Sequence, residues 1–143
     1  MHMKKIIGIL VLALAFIAVF SACNKEEETI TNTIETGGNT YKIVYSACGL
    51  FGGAYHMDCD TENGIHGHGE FPASYVGKTT DLKGDFFLEF NPQSGPSFIP
   101  KIKSGTVTVK EADKGFNITV DAVENGGGKF KMSVYTEDKG ENF

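Results

Sequence analysis

Beyond residue 40 the chain alternates apolar and polar positions with a period of two over much of its length, the spacing that sends successive side chains to opposite faces of a β-strand. "TYKIVYS" (Thr40–Ser46) groups Tyr41, Ile43 and Tyr45 on one face. "GDFFLEF" (Gly84–Phe90) groups Phe86, Leu88 and Phe90 opposite Asp85, Phe87 and Glu89. Three clearer runs follow. "TVTVKE" (Thr106–Glu111) turns at Asp113-Lys114-Gly115 into "FNITVDAV" (Phe116–Val123), and "ENGGG" (Glu124–Gly128) leads into "KFKMSVYTE" (Lys129–Glu137). The inward faces are expected to be Val107 and Val109, then Phe116, Ile118 and Val120, then Phe130, Met132 and Val134. Short Gly/Asn/Asp turns between alternating runs mark an antiparallel meander.

The half between Gly49 and Pro100 is less regular. "GLFGGAYHM" reads as a loop followed by a strand, and "FNPQSGPSFIP" (Phe90–Pro100) carries three of the four prolines, so it is a loop or an edge crossing. No window after the first 22 residues keeps a helical period. The pattern predicts an all-β fold of seven or eight strands, a small antiparallel meander forming a β-sandwich or barrel, since stacking or closing a sheet removes exposed edges.

The opening "MHMKKIIGILVLALAFIAVFSAC" has another character. Lys4 and Lys5 precede an unbroken apolar run, Ile6 to Phe20, and small residues stand just before Cys23. That is the layout of a secretory signal, and the run is shorter than the roughly 20 residues a spanning helix needs. Its end, Phe20-Ser21-Ala22-Cys23, resembles the lipobox of bacterial lipoproteins, with Phe20 where that family more often has Leu. The resemblance implies cleavage before Cys23 and acylation of Cys23, which anchors the mature chain to a membrane. Each buried acyl CH₂ contributes about 0.8 kcal/mol, so two or three chains hold firmly. Lys25, Glu26 and Glu27 directly behind the cysteine are similar to the export signal of surface-exposed lipoproteins in the Bacteroidota phylum. That resemblance implies an outer-membrane protein facing the exterior, with an inward-facing lipoprotein as the alternative. The expected organisation is therefore a signal peptide (1–22), a lipidated Cys23 with a flexible acidic tether (23–39), an all-β domain (40–138) and a short tail (139–143).

Charge narrows the partners. The chain has 13 lysines against 18 acids, a net charge of −5, and no arginine. A nucleic-acid binder needs Lys/Arg clusters for phosphates and arginine for bidentate base contacts, so that class is excluded. The partners left are the membrane, through the lipid anchor, and a protein or small-molecule ligand.

With Cys23 lipidated, Cys48 and Cys59 remain as an even pair in an oxidising compartment, so a disulfide is expected, with two metal-binding thiols as the alternative. The chemistry-bearing residues concentrate nearby. His56, His66 and His68 fall close together, with Asp58, Asp60 and Glu70 among them. As a strand, "GIHGHGEF" (Gly64–Phe71) places His66, His68 and Glu70 on one face and Ile65, Gly67, Gly69 and Phe71 on the other. His-x-His on a strand can supply two ligands to zinc, with His56 or Glu70 as the third, and haem is a second candidate ligand. The alternative is a solvent-facing, glycine-weakened edge strand that needs no ligand. The spacing from Glu70 to Gly77 resembles the tail of the cupin motif, but the gap before Glu70 differs and no later histidine follows His68, so a cupin centre is not expected.

No catalytic residues are assigned. There is no Gly-x-Ser-x-Gly elbow, and "NGGGK" (Asn125–Lys129) lacks the Ser/Thr and helix of a phosphate loop. Tyr41, Tyr45, Phe51, Tyr55, Phe71 and Tyr75 cluster in the irregular half, and Phe51, Tyr55 and Tyr75 would form a recognition patch if exposed together. The expectation is a non-enzymatic binding or accessory module on a lipid anchor, with a metal- or haem-binding lipoprotein as the alternative.

Overall fold

The computed structural model describes residues 28–83 and 86–143, so the leader, Cys23, the Lys25, Glu26 and Glu27 signal, Gly84 and Asp85 lie outside the described residues. Nine strands form among the described residues: β1 (Thr33–Thr36), β2 (Asn39–Phe51), β3 (Ala54–Thr61), β4 (His66–Pro72), β5 (Lys78–Asp81), β6 (Phe87–Asn91), β7 (Ile102–Ala112), β8 (Gly115–Glu124) and β9 (Lys129–Asp138). They make one sheet in the order β5-β7-β8-β9-β1-β2-β3-β4-β6. The all-β meander expected from the alternation is what forms. The strand count is nine rather than seven or eight, and the sheet curls without closing, because its end strands β5 and β6 do not pair.

The curl brings the two halves of the sheet face to face. Tyr55 on β3 meets Phe116 on β8 edge-on at 4.8 Å, Phe71 on β4 meets Phe116 at 6.1 Å, and Phe90 on β6 lies 6.3 Å from Phe130 on β9. Every inward position expected for β7, β8 and β9 is buried, from Val107 and Val109 through Phe116, Ile118 and Val120 to Phe130, Met132 and Val134. One contiguous core results. The proline-rich crossing returns a single bridge to the edge strand β6, where Phe98 and Phe90 exchange backbone hydrogen bonds of 2.9 Å and stack their rings. That contact covers part of an edge that would otherwise be open to pairing.

Two expectations need correction here. The tether was expected to run to residue 39, but Thr33–Thr36 is a strand in the middle of the sheet, antiparallel to both β2 and β9, with Ile34 buried. A four-residue strand carries too little pattern to stand out among threonines and acids. Because β1 is short and antiparallel to both neighbours, those neighbours are parallel to each other, and past its end they pair directly at Ala47–Glu137 and Cys48–Asp138. The tail at 139–143 is seated on β2: Lys139 N–H donates to the Cys48 carbonyl at 2.8 Å, and the 3₁₀ turn Gly140–Asn142 covers β2 so closely that Gly49 has no room for a Cβ against Gly140 and Phe143. Finally, Tyr45 does not share a face with Tyr41 and Ile43. The register slips between Ile43 and Tyr45, a bulge that inserts one residue, so Val44 and Tyr45 both turn to solvent.

The expected disulfide is also absent. Cys48 and Cys59 are free, buried thiols. Cys48 lies opposite Met57 and Cys59 opposite Ser46, two residues out of register. Such diagonal neighbours stand about 7–8 Å apart, beyond the roughly 4.4–6.8 Å between Cα atoms that a disulfide spans. Burial, reinforced by the Asp138 carboxylate, pushes the Cys48 thiol from 9.0 up to about 11. Burial and the Asp60 carboxylate push Cys59 up to about 12. Thiols held in the protonated form are poor metal ligands and poor nucleophiles.

Candidate functional site

β4 is an interior strand, paired with β3 on one side and β6 on the other, which corrects the edge-strand reading of "GIHGHGEF". Its glycines answer to the interior. A Cβ on Gly67 would sit 2.7 Å from the Cys59 sulfur and 3.0 Å from the Phe90 ring, so the space under Gly67 is already filled. With Gly67, Gly69 and Phe71 buried, the period of two sends His66, His68 and Glu70 outward. β3 does the same with His56, Asp58 and Asp60, while Met57 and Cys59 point into the core.

Antiparallel register then pairs each histidine with a carboxylate across the strands: His56 with Glu70, Asp58 with His68, and Asp60 with His66. Along the strands the types are grouped instead, with Asp58 and Asp60 consecutive on the outer face of β3 and His66 and His68 consecutive on that of β4. On the far side of β4, Glu89 of β6 stands opposite His68. β3, β4 and β6 contain no lysine, so this face is anionic.

The cluster divides in two. His66 turns towards the end of β3, with Nδ1 2.7 Å from Asp60 Oδ1 and Nε2 3.6 Å from Asp58 Oδ1, and both its nitrogens are engaged. His68 Nδ1 lies 2.8 Å from Asp58 Oδ1. An ionised carboxylate only accepts, so Nδ1 carries the proton and donates it, leaving the Nε2 lone pair of the neutral ring free to bind. That Nε2 is 3.7 Å from Glu70 Oε1, and His56 Nδ1 reaches the same oxygen at 3.2 Å. One donor atom from each of His56, His68 and Glu70 lies within 4.8 Å of the other two. His66, grouped with the other histidines in the sequence, stands outside this triad. Asp58, which the sequence offered only as a neighbour, is the residue that orients His68. The one signal for it was its register opposite His68, and that is legible only once the β3–β4 pairing is known.

A groove of about 240 Å³ opens beside His56, walled by Gly49, Leu50, Phe51, Gly140, Glu141 and Phe143. Phe51 is 77 % exposed and sets its ring edge-on to His56 at 5.9 Å. The patch of Phe51, Tyr55 and Tyr75 does not form: Tyr75 is buried, and Tyr55 stacks on Phe71 in the core. No protein-family model, curated protein or solved structure matches this chain.

Proposed function

We propose that the chain is a lipid-anchored outer-membrane protein facing the cell exterior, whose β domain is a non-enzymatic binding or accessory module presenting the outer face of β3 and β4. The leader supports the anchor through the resemblance of Phe20–Cys23 to a lipobox, and Lys25, Glu26 and Glu27 support outward display. The observation that carries the binding role is the pairing of every outward side chain from His56 to Asp60 with an outward side chain of β4 from His66 to Glu70. The fold does not require that composition on an exposed face, where threonine and lysine serve as well.

Cys23→Ser should move the protein from the membrane fraction to the soluble fraction, and replacing Lys25, Glu26 and Glu27 with alanine should protect it from protease added to intact cells. Membrane attachment unchanged by Cys23→Ser would overturn the anchor. A second reading, a metal-binding lipoprotein, is favoured by the convergence of His56, His68 and Glu70. Haem has no such convergence behind it: of the three histidines only His56 lines the groove of Leu50, Phe51 and Phe143, and His66 and His68 stand among carboxylates.

A further inference from the structure

We infer that His56, His68 and Glu70 form a site for one divalent late first-row transition ion, with Zn²⁺ and Cu²⁺ as the fitting chemistry, and that Asp58 is its positioning residue. The inference rests on the reading of the β3–β4 outer face as the binding face and names its ligand.

The geometry is close to what an ion needs. A tetrahedral ion with bonds of about 2.0–2.1 Å holds its donors roughly 3.3 Å apart. His56 Nδ1 and His68 Nε2 stand 3.2 Å and 3.7 Å from the shared Glu70 Oε1. The whole set fits within 4.8 Å, so ångström-scale side-chain rotations bring all three donors to an ion. The donors come from two hydrogen-bonded strands, which fixes their backbones relative to one another: His56 and Glu70 are direct cross-strand partners, and His68 is two residues from Glu70 on the same face.

The donor set selects the ion. Ca²⁺ and Mg²⁺ take oxygen ligands, whereas two imidazoles and one carboxylate suit zinc, copper and nickel. Asp58 supplies what a ligating histidine ordinarily has, a carboxylate on its second nitrogen that fixes the tautomer and raises the basicity of the first. Asp58 Oδ1 does this for His68 at 2.8 Å. Burial is graded as a ligand site requires: the side chains of His56 and His68 are 29 % and 34 % exposed, against 48 % for His66, which both Asp58 and Asp60 hold away from the triad. Three protein ligands leave the fourth position open, and the groove walled by Phe51, Glu141 and Phe143 begins at His56. The ion would therefore carry water or a small exogenous ligand on that side.

The test uses protein purified with Cys23→Ser and stripped of metal, titrated by calorimetry with ZnCl₂ and with CuCl₂, and with CoCl₂ by visible absorption. One ion per chain is expected. His56→Ala, His68→Ala and Glu70→Gln should each weaken binding by about tenfold or more, and His66→Ala by less than about threefold. Asp58→Asn should weaken binding by about tenfold while leaving the melting temperature of the metal-free protein unchanged, a combination that a merely structural role would not give. Outward-facing substitutions leave the core intact, and circular dichroism of each metal-free variant checks that. Absence of binding by all three ions overturns the site, as does a His66→Ala loss equal to that of His68→Ala. If no ion binds while Cys23→Ser still releases the protein from membranes, the metal site is wrong and the anchored module stands. If an ion binds but Cys23→Ser leaves attachment unchanged, the site stands and the anchor is wrong.

Discussion

The two halves of the sheet share a core but turn different chemistry to solvent. Across β5, β7, β8, β9 and β1 the outer face carries a row of hydroxyls, Thr79, Thr108, Thr119, Ser133 and Thr33, each directly opposite the next. Thr79 and Thr108 bond through their hydroxyls at 2.8 Å. Threonine favours the pleated, half-exposed environment and hydrogen-bonds across strands, so that row is accounted for by the sheet itself. Across β3 and β4 the same positions carry three histidines and three carboxylates. None of these types has a strand preference of its own, and the carboxylates repel one another unless protons or a cation intervene. The hydroxyl row completes itself, whereas the paired acids and histidines of β3 and β4 present the ring nitrogens and carboxylate oxygens on which the proposed binding role rests.

The largest expected effect tests whether the halves are one cooperative unit. Phe130 is fully buried on β9 and its ring meets Phe90 on β6, so it belongs to both halves. Phe130→Ala should cost about 3–5 kcal/mol through lost burial and the cavity left behind. Urea unfolding followed by circular dichroism should show one transition at a lower midpoint, and hydrogen exchange should show protection lost together in β3–β4 and β7–β9. Retention of full protection in either half would break the comparison into two independent units.

A second effect, of up to about 3 kcal/mol, separates the halves by what they bury. The buried residues of β7, β8 and β9 include no titratable group, whereas β2 and β3 bury the Cys48 and Cys59 thiols. Both thiols are raised in the folded state, to about 11 and about 12, above the 9.0 of a thiol in the unfolded chain. The folded protein therefore keeps protons that the unfolded chain releases. The associated stability is fully present below pH 9 and is lost as pH rises through 9 towards 12. Between pH 8 and pH 10 each thiol accounts for up to about 1.4 kcal/mol. The urea midpoint should fall over that range, and Cys48→Ala with Cys59→Ala should flatten the fall. Thiol counting in denaturant on the Cys23→Ser protein should find two per chain, and a count of zero would restore the disulfide.

What was legible in the sequence follows the same division. β7, β8 and β9 could be read residue by residue, because long runs with short turns leave the period of two undisturbed and local spacing decides the faces. β1 was not legible: four residues of TIET become a strand through a two-residue Gly37-Gly38 hairpin to β2 and through pairing with β9, and only β9 is distant in sequence. Tyr45 was misplaced because a bulge reverses the face without marking itself in composition. At the candidate site the alternation of "HGHGEF" gave the outward face of β4 correctly. It could not give the partner strand's register, and register is what joins His56 to Glu70, sets Asp58 against His68 and leaves His66 with Asp60.

The smallest effect joins core to site at one position. Gly67 lies between His66 and His68, with its inward side pressed on Cys59 and Phe90. Gly67→Ala would restrict the unfolded chain, a gain of about 0.4–1 kcal/mol, against an overpacking cost of about 1–3 kcal/mol because a Cβ has no room. The net expectation is a loss near 1 kcal/mol, read as a small drop in urea midpoint. Cys59→Ala removes the sulfur that the new Cβ would strike, so in that background the loss should shrink or reverse. A Gly67→Ala loss that is the same with and without Cys59 would place its cause in the β4 backbone instead. The glycines of "GIHGHGEF" would then serve the outer face, holding His66 and His68 at their positions, rather than the packing beneath it.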